Sequence, residues 1–183
     1  IYSERAKLVE ELIPVFREHY SMISAEKERV ELSYRSHLSE GDFGKTLSEA
    51  VEKDRFLEYT TVGVHKDDLI FDMNGFSVKS LGSQGQQKSF LVALKLAKYD
   101  YIKSMSGLST ILLLDDIFDK FDAERVEQII RLVGDNKFGQ IFMTDTHQER
   151  LHSILSAHGT DYRLFRISNN SVEEIIENGK TRK

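Results

Sequence analysis

An apolar run that ends in two adjacent carboxylates constrains the fold of this chain more than any other segment. Residues Thr110–Leu114 are followed directly by Asp115 and Asp116. A continuous apolar run is typical of a strand that is buried on both faces of a parallel sheet. Because open α/β sheets bind their ligands at the carboxyl ends of such strands, we expect a polar site at this strand end.

Helical and strand patterns alternate on both sides of this run. The predicted elements are a helix over 83–105, a strand over 110–114, a helix over 122–133, a strand over 140–144 and a helix over 148–158. Hairpins are predicted around Asn74-Gly75 and Asn169-Asn170, because such dipeptides favour two-residue turns. An alternation of strands and helices predicts an α/β fold with a parallel sheet.

The first 60 residues have a different pattern. Residues 3–27 carry an apolar stripe at helical spacing, residues 29–35 alternate as in a half-buried strand, and residues 43–59 are again helical in pattern. We therefore predict a helical appendage over residues 1–60 and an α/β lobe over residues 61–183.

Composition excludes several classes of protein. The 183 residues contain no cysteine, which rules out disulfides and thiolate catalysis and agrees with a cytoplasmic location. No apolar stretch approaches the length of a membrane span. The formal net charge of −5 argues against nucleic-acid binding by this chain alone, because such binding depends on cationic side chains. The chain begins with Ile1 and contains no phosphate-binding glycine loop, so we expect it to be part of a longer protein.

A second polar segment opens the predicted helix over 83–105. The sequence Ser83-Gln84-Gly85-Gln86-Gln87 combines a helix-capping residue with a glycine that permits close backbone approach. The N-terminus of a helix presents free N–H groups to an anion, and paired carboxylates hold Mg²⁺. Together with Asp115 and Asp116, this segment suggests half of a nucleotide-hydrolysing site. The alternative is a simple turn and helix cap, which is the commoner use of such residues.

Three segments resemble the RecF family, which consists of ATP-binding-cassette (ABC) ATPases related to the SMC proteins. They are Gly63–Leu69, Ser83–Gln87 and Leu112–Asp116. Val64 and Lys66 depart from the family pattern, which has proline and arginine there. The resemblance covers most of the chain and implies the C-terminal, signature and Walker B half of an ABC-type head, a P-loop NTPase lobe.

The resemblance implies specific roles at the two polar segments. Ser83, Gln84, Gly85 and Gln86 would form the signature motif, which contacts the γ-phosphate of ATP held by the other subunit of a dimer. Asp115 would hold Mg²⁺ as the Walker B acid. Asp116 would polarise the attacking water in place of the usual glutamate, and its shorter side chain suggests slow turnover.

Five further residues take family roles with open alternatives. Asp119 and Asp122 fall in the D-loop, which crosses the dimer interface, although Asp122 is equally suited to cap the next helix. His147 is either a γ-phosphate sensor or a residue at the start of a surface helix, and Thr144 and Thr146 are candidates for the polar role instead. We assign no mechanism to the polar cluster His65–Asp68.

For the parent protein, the resemblance implies DNA repair and recombination driven by ATP. ATP would hold two copies together as a homodimer on gapped DNA or on a junction of single and double strands. RecO and RecR would be partners in loading RecA. This chain alone is expected to be inactive.

Two alternatives remain open from the residues. Asp115, Asp116, Asp119 and Asp122 could form a self-contained metal site of a phosphohydrolase or nuclease, because four acids lie within eight residues. The chain could also be a non-catalytic interaction module.

Overall fold

Two long helices in contact form the centre of this computed structural model, which describes residues 1–116, 118–134, 137–146, 148–157, 161–169 and 171–177; the side chains of 148–151 and 173–177 are outside the description. The helices are α1 (Tyr2–Ile23), α2 (Phe43–Leu57), α3 (Val78–Leu81), α4 (Gln84–Ser106), α5 (Ala123–Gly134) and α6 (Gln148–Ala157). The strands are β1 (Val30–Arg35), β2 (Asp68–Met73), β3 (Phe76–Ser77), β4 (Leu112–Leu114), β5 (Ile141–Met143), β6 (Arg163–Ser168) and β7 (Ser171–Glu177). The α/β fold class predicted from the sequence is confirmed.

The core lies where α1, α4 and α5 meet the sheets. Phe16 and Tyr20 of α1 pack against Phe90 of α4, with ring centroids 5.4 and 4.6 Å apart. Phe71 of β2 contacts Phe90 at 5.4 Å in an edge-on arrangement. Helix α5 adds Val126 and other fully buried residues to the same cluster. Burial of these large side chains supplies most of the favourable free energy of folding.

The described strands form three separate sheets. β1, β2 and β3 form an antiparallel sheet in which Val30 lies opposite Met73. β4 and β5 are parallel, with α5 as the crossover between them. β6 and β7 form the predicted C-terminal hairpin. The second strand of the Asn74-Gly75 hairpin has only two residues, because Val78 already begins α3.

The parallel sheet has one exposed face, which corrects the prediction of a strand buried on both faces. Leu112 and Leu114 are 6% and 1% exposed, whereas Leu113 between them is 63% exposed. Its register partner Phe142 on β5 is 51% exposed. The described residues include no layer that covers this face. Leu91 of α4 is also exposed.

The predicted division at residue 60 remains a prediction. β1 lies before that position and pairs with β2 after it, and α1 packs on α4. Of the helices in the described ranges, none has the length and apolar composition that a membrane crossing requires.

Candidate functional site

The signature segment (residues 83–87) forms the start of α4 through a capping box. Ser83 Oγ accepts a hydrogen bond from the Gln86 N–H at 3.2 Å, and Gln86 Oε1 accepts one from the Ser83 N–H at 2.8 Å. Each side chain thereby satisfies a backbone donor that the helix itself leaves unpaired. The N–H groups of Gln84 and Gly85 have no acceptor among the described residues. These two free donors at the positive end of a 23-residue helix are suited to bind an anion.

Gly85 packs against the segment 118–122, which follows the two carboxylates. A Cβ atom at Gly85 would lie 3.3 Å from the carbonyl oxygen of Lys120, closer than ordinary contact. The backbone of Gly85 does not have a positive φ, so the glycine serves close approach and not a special turn. Phe118 and Phe121 are 1% and 7% exposed and hold this segment in the core.

Thr144 joins the two carboxylates at the end of β4 to the end of β5. Its Oγ1 donates to Asp115 Oδ1 at 2.5 Å and accepts from the Asp116 N–H at 2.9 Å. The backbone N–H of Thr144 donates to the Leu114 carbonyl, which continues the parallel pairing by one residue. Asp115, Asp116 and Thr144 are all exposed, so a ligand could reach them.

Asp116 has a left-handed backbone conformation that non-glycine residues rarely adopt, with φ of 44°. It is held on both sides: Thr144 binds its N–H, and Lys88 Nζ donates to its carbonyl oxygen at 3.3 Å. Lys88 Nζ also lies 3.8 Å from Asp119 Oδ2. Lys88 therefore connects α4 with both acidic positions, and the sequence analysis did not identify it. Its position directly after the signature segment was the signal that could have done so.

The four aspartates do not converge on one point. Asp119 lies beside Lys88 and Lys120, at 3.8 and 3.6 Å. Asp122 caps α5, because its Oδ1 accepts from the Arg125 N–H at 2.8 Å. Among the residues that the structure describes, no three His, Cys, Asp or Glu side chains are grouped to hold a metal. The hypothesis of a self-contained four-aspartate metal site is therefore not favoured.

Asp115 by itself fits a different kind of magnesium site. Mg²⁺ bound with a nucleotide usually takes one or two carboxylates and completes its shell with phosphates and water. An exposed carboxylate at the end of a parallel strand, oriented by a threonine, suits such a site. His147 lies outside the described residues.

A largely buried carboxylate that the sequence analysis missed lies behind the signature segment. Glu28 accepts hydrogen bonds from Gln86 Nε2 and Arg125 Nη2, both at 2.8 Å, and from the Tyr20 hydroxyl at 2.6 Å. Arg125 Nη1 also donates to Ser89 Oγ at 2.7 Å. We call these five residues the Glu28 cluster. Glu28 stands in a run of charged residues, so nothing in the sequence distinguishes it from solvated neighbours.

Burial raises the pKa of the Glu28 carboxyl, but the hydrogen bonds from Gln86, Tyr20 and Arg125 together lower it below its ordinary value. Burial likewise raises the pKa of the Tyr20 hydroxyl, and Glu28 raises it further. The cluster therefore contains a charged carboxylate, a neutral phenol and a charged guanidinium at neutral pH.

No protein-family model matches the chain. DNA replication and repair protein RecF of Flavobacterium johnsoniae is 47% identical over 167 residues, which are 91% of the chain and 46% of the relative. RecF of Parabacteroides distasonis is 47% identical over 177 residues, which are 97% of the chain and 48% of the relative. The chain resembles the C-terminal half of RecF.

The chain spans about half the length of the curated RecF relatives it matches. A solved structure of the recombination mediator protein RecF with ATP, from the RecFOR pathway, superposes with a TM-score of 0.64 at 21% identity and covers 96% of the chain. A structure from work on ATP-driven dimerisation of SMC ATPases superposes with a TM-score of 0.58 at 12% identity and covers 94%. At these identities the likeness concerns the fold alone, which the chain shares with these RecF and SMC structures.

Proposed function

We propose that the chain is the C-terminal part of a RecF-like DNA repair ATPase and supplies the signature segment, the Walker B acids and the D-loop of its ATP sites. The observation that carries this proposal is that these three segments meet at one edge of the molecule. Gly85 packs on Lys120, and Lys88 contacts both Asp116 and Asp119. If these segments were only local turns and helix caps, we would not expect them to contact one another.

The signature segment would bind the γ-phosphate of ATP held by a second copy. The free N–H groups of Gln84 and Gly85 and the positive end of α4 favour a phosphate at this position. The Ser83 hydroxyl accepts the Gln86 N–H, which leaves its own hydrogen for a phosphate oxygen. Asp119 and Asp122, next to this segment, would form the D-loop at the same dimer interface.

Asp115 and Asp116 would act on the nucleotide bound by their own subunit. Asp115 would hold Mg²⁺, which stabilises charge on the phosphates when bound. Asp116 would orient the attacking water, with its backbone held by Thr144 and Lys88. Thr144 fits a role in holding both acids, whereas the role of His147 remains a prediction.

The phosphate-binding loop would come from the half of the RecF relatives that this chain lacks. The exposed apolar face of Leu113 and Phe142 on the parallel sheet suits coverage by that half. By resemblance to RecF, the whole protein would dimerise with ATP on gapped or junction DNA and work with RecO and RecR in the cytoplasm to load RecA.

The test is Mg·ATP binding and turnover by the chain alone and mixed with the upstream half of its parent, with and without gapped DNA. We expect no turnover by the chain alone and DNA-stimulated turnover after mixing. Turnover by the chain alone would instead mean that its aspartates form an independent catalytic centre, and the proposal would fail.

A signature variant tests the contact between subunits. Ser83→Arg in the full-length protein should abolish ATP-dependent dimerisation, because the larger cation fills the phosphate position. The same change removes a helix cap, at a cost of about 1 kcal/mol. Asp42→Ala is the matched control, since Asp42 caps α2 by accepting from Gly44 and Lys45 N–H groups. Normal dimerisation of Ser83→Arg would exclude the signature role.

A further inference from the structure

The carboxylate of Glu28 joins three elements that are distant in sequence. Tyr20 belongs to α1, Gln86 to the first turn of α4, and Arg125 to the first turn of α5. The two helix starts are the ends at which the signature segment and the segment 118–122 lie. The Glu28 side chain therefore contacts the first turns of both α4 and α5.

The contacts continue without interruption from one helix cap to the other. Gln86 binds Ser83 through the capping box on one side and Glu28 on the other. Arg125 binds Glu28 and approaches the α5 cap Asp122, with its Nε 3.4 Å from Asp122 Oδ2. A second route runs from Arg125 through Ser89 Oγ, which donates to the Gly85 carbonyl at 2.9 Å.

A neighbouring ion pair differs from the Glu28–Arg125 pair in its exposure to water. Lys27 and Glu124, each one position before Glu28 and Arg125, pair at 2.5 Å between the same two parts of the chain. Their side chains are 62% and 55% exposed, whereas those of Glu28 and Arg125 are both 15% exposed. Water replaces an exposed pair at little cost, but it cannot replace a largely buried set of charged hydrogen bonds.

We propose that Glu28 and Arg125 are positioning residues that hold the signature segment and the segment 118–122 in one fixed relative position. Both segments then meet the nucleotide of the second copy as a single rigid surface. This role in dimerisation rests on the proposed function, whereas the fixed relative position itself does not.

Amide hydrogen exchange on the chain alone tests the fixed position. Glu28→Gln removes the charge, and Arg125→Lys keeps the charge but cannot bridge Glu28 and Ser89 at once. In both variants the N–H groups of residues 86 and 125, which donate to the helix caps Ser83 and Asp122, should exchange about tenfold faster, because local opening becomes easier. Amides of the β1–β2 pairing should not change, and Glu124→Gln is the matched control. Faster exchange at only one cap, or an equal change throughout the chain, would overturn the proposal.

ATP-dependent dimerisation of the full-length protein tests the role in the site. Glu28→Gln should weaken dimerisation about tenfold or more, because the two contacting segments lose their common support. ATP affinity of the monomer should not change, since the phosphate loop lies in the other half. If Ser83→Arg abolishes dimerisation and Glu28→Gln leaves it intact, the positioning role is excluded. If Ser83→Arg also leaves it intact, the proposed function fails, and the exchange result alone decides whether Glu28 fixes the two segments.

Discussion

Two largely buried carboxylates, those of Glu28 and Asp67, each bind an arginine and a tyrosine hydroxyl but connect different parts of the chain. Glu28 binds a tyrosine hydroxyl, an arginine and the signature glutamine. Asp67, whose side chain is 4% exposed, binds the Tyr34 hydroxyl at 2.5 Å and Arg5 Nη1 at 2.8 Å. We call Arg5, Tyr34 and Asp67 the Asp67 cluster.

The difference lies in what each cluster connects. The Asp67 cluster joins the start of α1, the end of β1 and the loop before β2, and Arg5 also donates to the Val64 carbonyl at 2.6 Å. None of these elements contributes to the proposed site. The Glu28 cluster connects α4 and α5, whose first turns do contribute to it. The residue types in a cluster therefore do not show whether it supports the site. The segments that the cluster connects do.

The largest effect is expected on removal of the cation in the Glu28 cluster. Arg125→Ala leaves the Glu28 carboxylate largely buried without its counter-ion, which should lower the free energy of unfolding by about 3–5 kcal/mol. Urea denaturation measures this change. Glu124→Ala at the neighbouring exposed pair should change it by less than about 1 kcal/mol. Equal losses in the two variants would contradict the distinction between buried and exposed pairs.

A smaller effect is expected in the Asp67 cluster. Arg5→Met should lower the melting temperature by roughly 2–4 °C, because Arg5 is 46% exposed and water can replace part of its contact. ATP-dependent dimerisation of the full-length protein should remain as in the wild type. Loss of dimerisation in this variant, with the fold intact, would mean that the Asp67 cluster also acts on the site.

Both carboxylates should make stability depend on pH in the same direction. Burial raises the pKa of Asp67, but hydrogen bonds from Ser36, Tyr34 and Arg5 together lower it, as the corresponding bonds do for Glu28. A lowered folded-state pKa stabilises the protein above the ordinary carboxyl value of about 4, and this contribution is lost as pH falls through the folded-state pKa. The stability difference between wild type and Glu28→Gln should therefore shrink between pH 7 and acidic pH. A difference that stays constant in chemical denaturation would show that the charge of Glu28 does not matter.

The smallest effect on stability is expected at Lys88. Its side chain is 31% exposed and its contacts are 3.3 and 3.8 Å long, so Lys88→Met should cost no more than about 0.5–1 kcal/mol. Turnover by the assembled protein should nevertheless fall, because the left-handed backbone of Asp116 loses one of its two supports. The matched comparison is Lys45→Met, at the exposed Lys45–Glu49 pair of α2. Unchanged turnover in Lys88→Met would remove Lys88 from the site.

Local signals in the sequence predicted much of the fold. Ser83 and Asp122 were identified as caps and do cap α4 and α5, because capping depends on residues within one turn. The hairpins at Asn74-Gly75 and at Asn169 were likewise predicted from short turn signals. The resemblance to RecF identified the signature segment and the two acids, whose functional roles remain proposals.

The exposed sheet face and the contacts of Thr144 depended on tertiary packing, which the sequence does not state. The exposed face of Leu113 could not be predicted, since an apolar run does not show how many layers cover its strand. Thr144 was a candidate from its position, but its contact with Asp115 joins residues 29 positions apart.

The sequence alone determined where helices begin, which strand ends in carboxylates, and which segments resemble RecF. These features depend on neighbouring residues, whose spacing the sequence states directly. Only the tertiary structure decided that Glu28 meets Arg125, 97 positions away, and that Lys88 supports Asp116. Such pairs form because α1, α4 and α5 pack around one core, and that packing brings together polar groups that no local pattern marks.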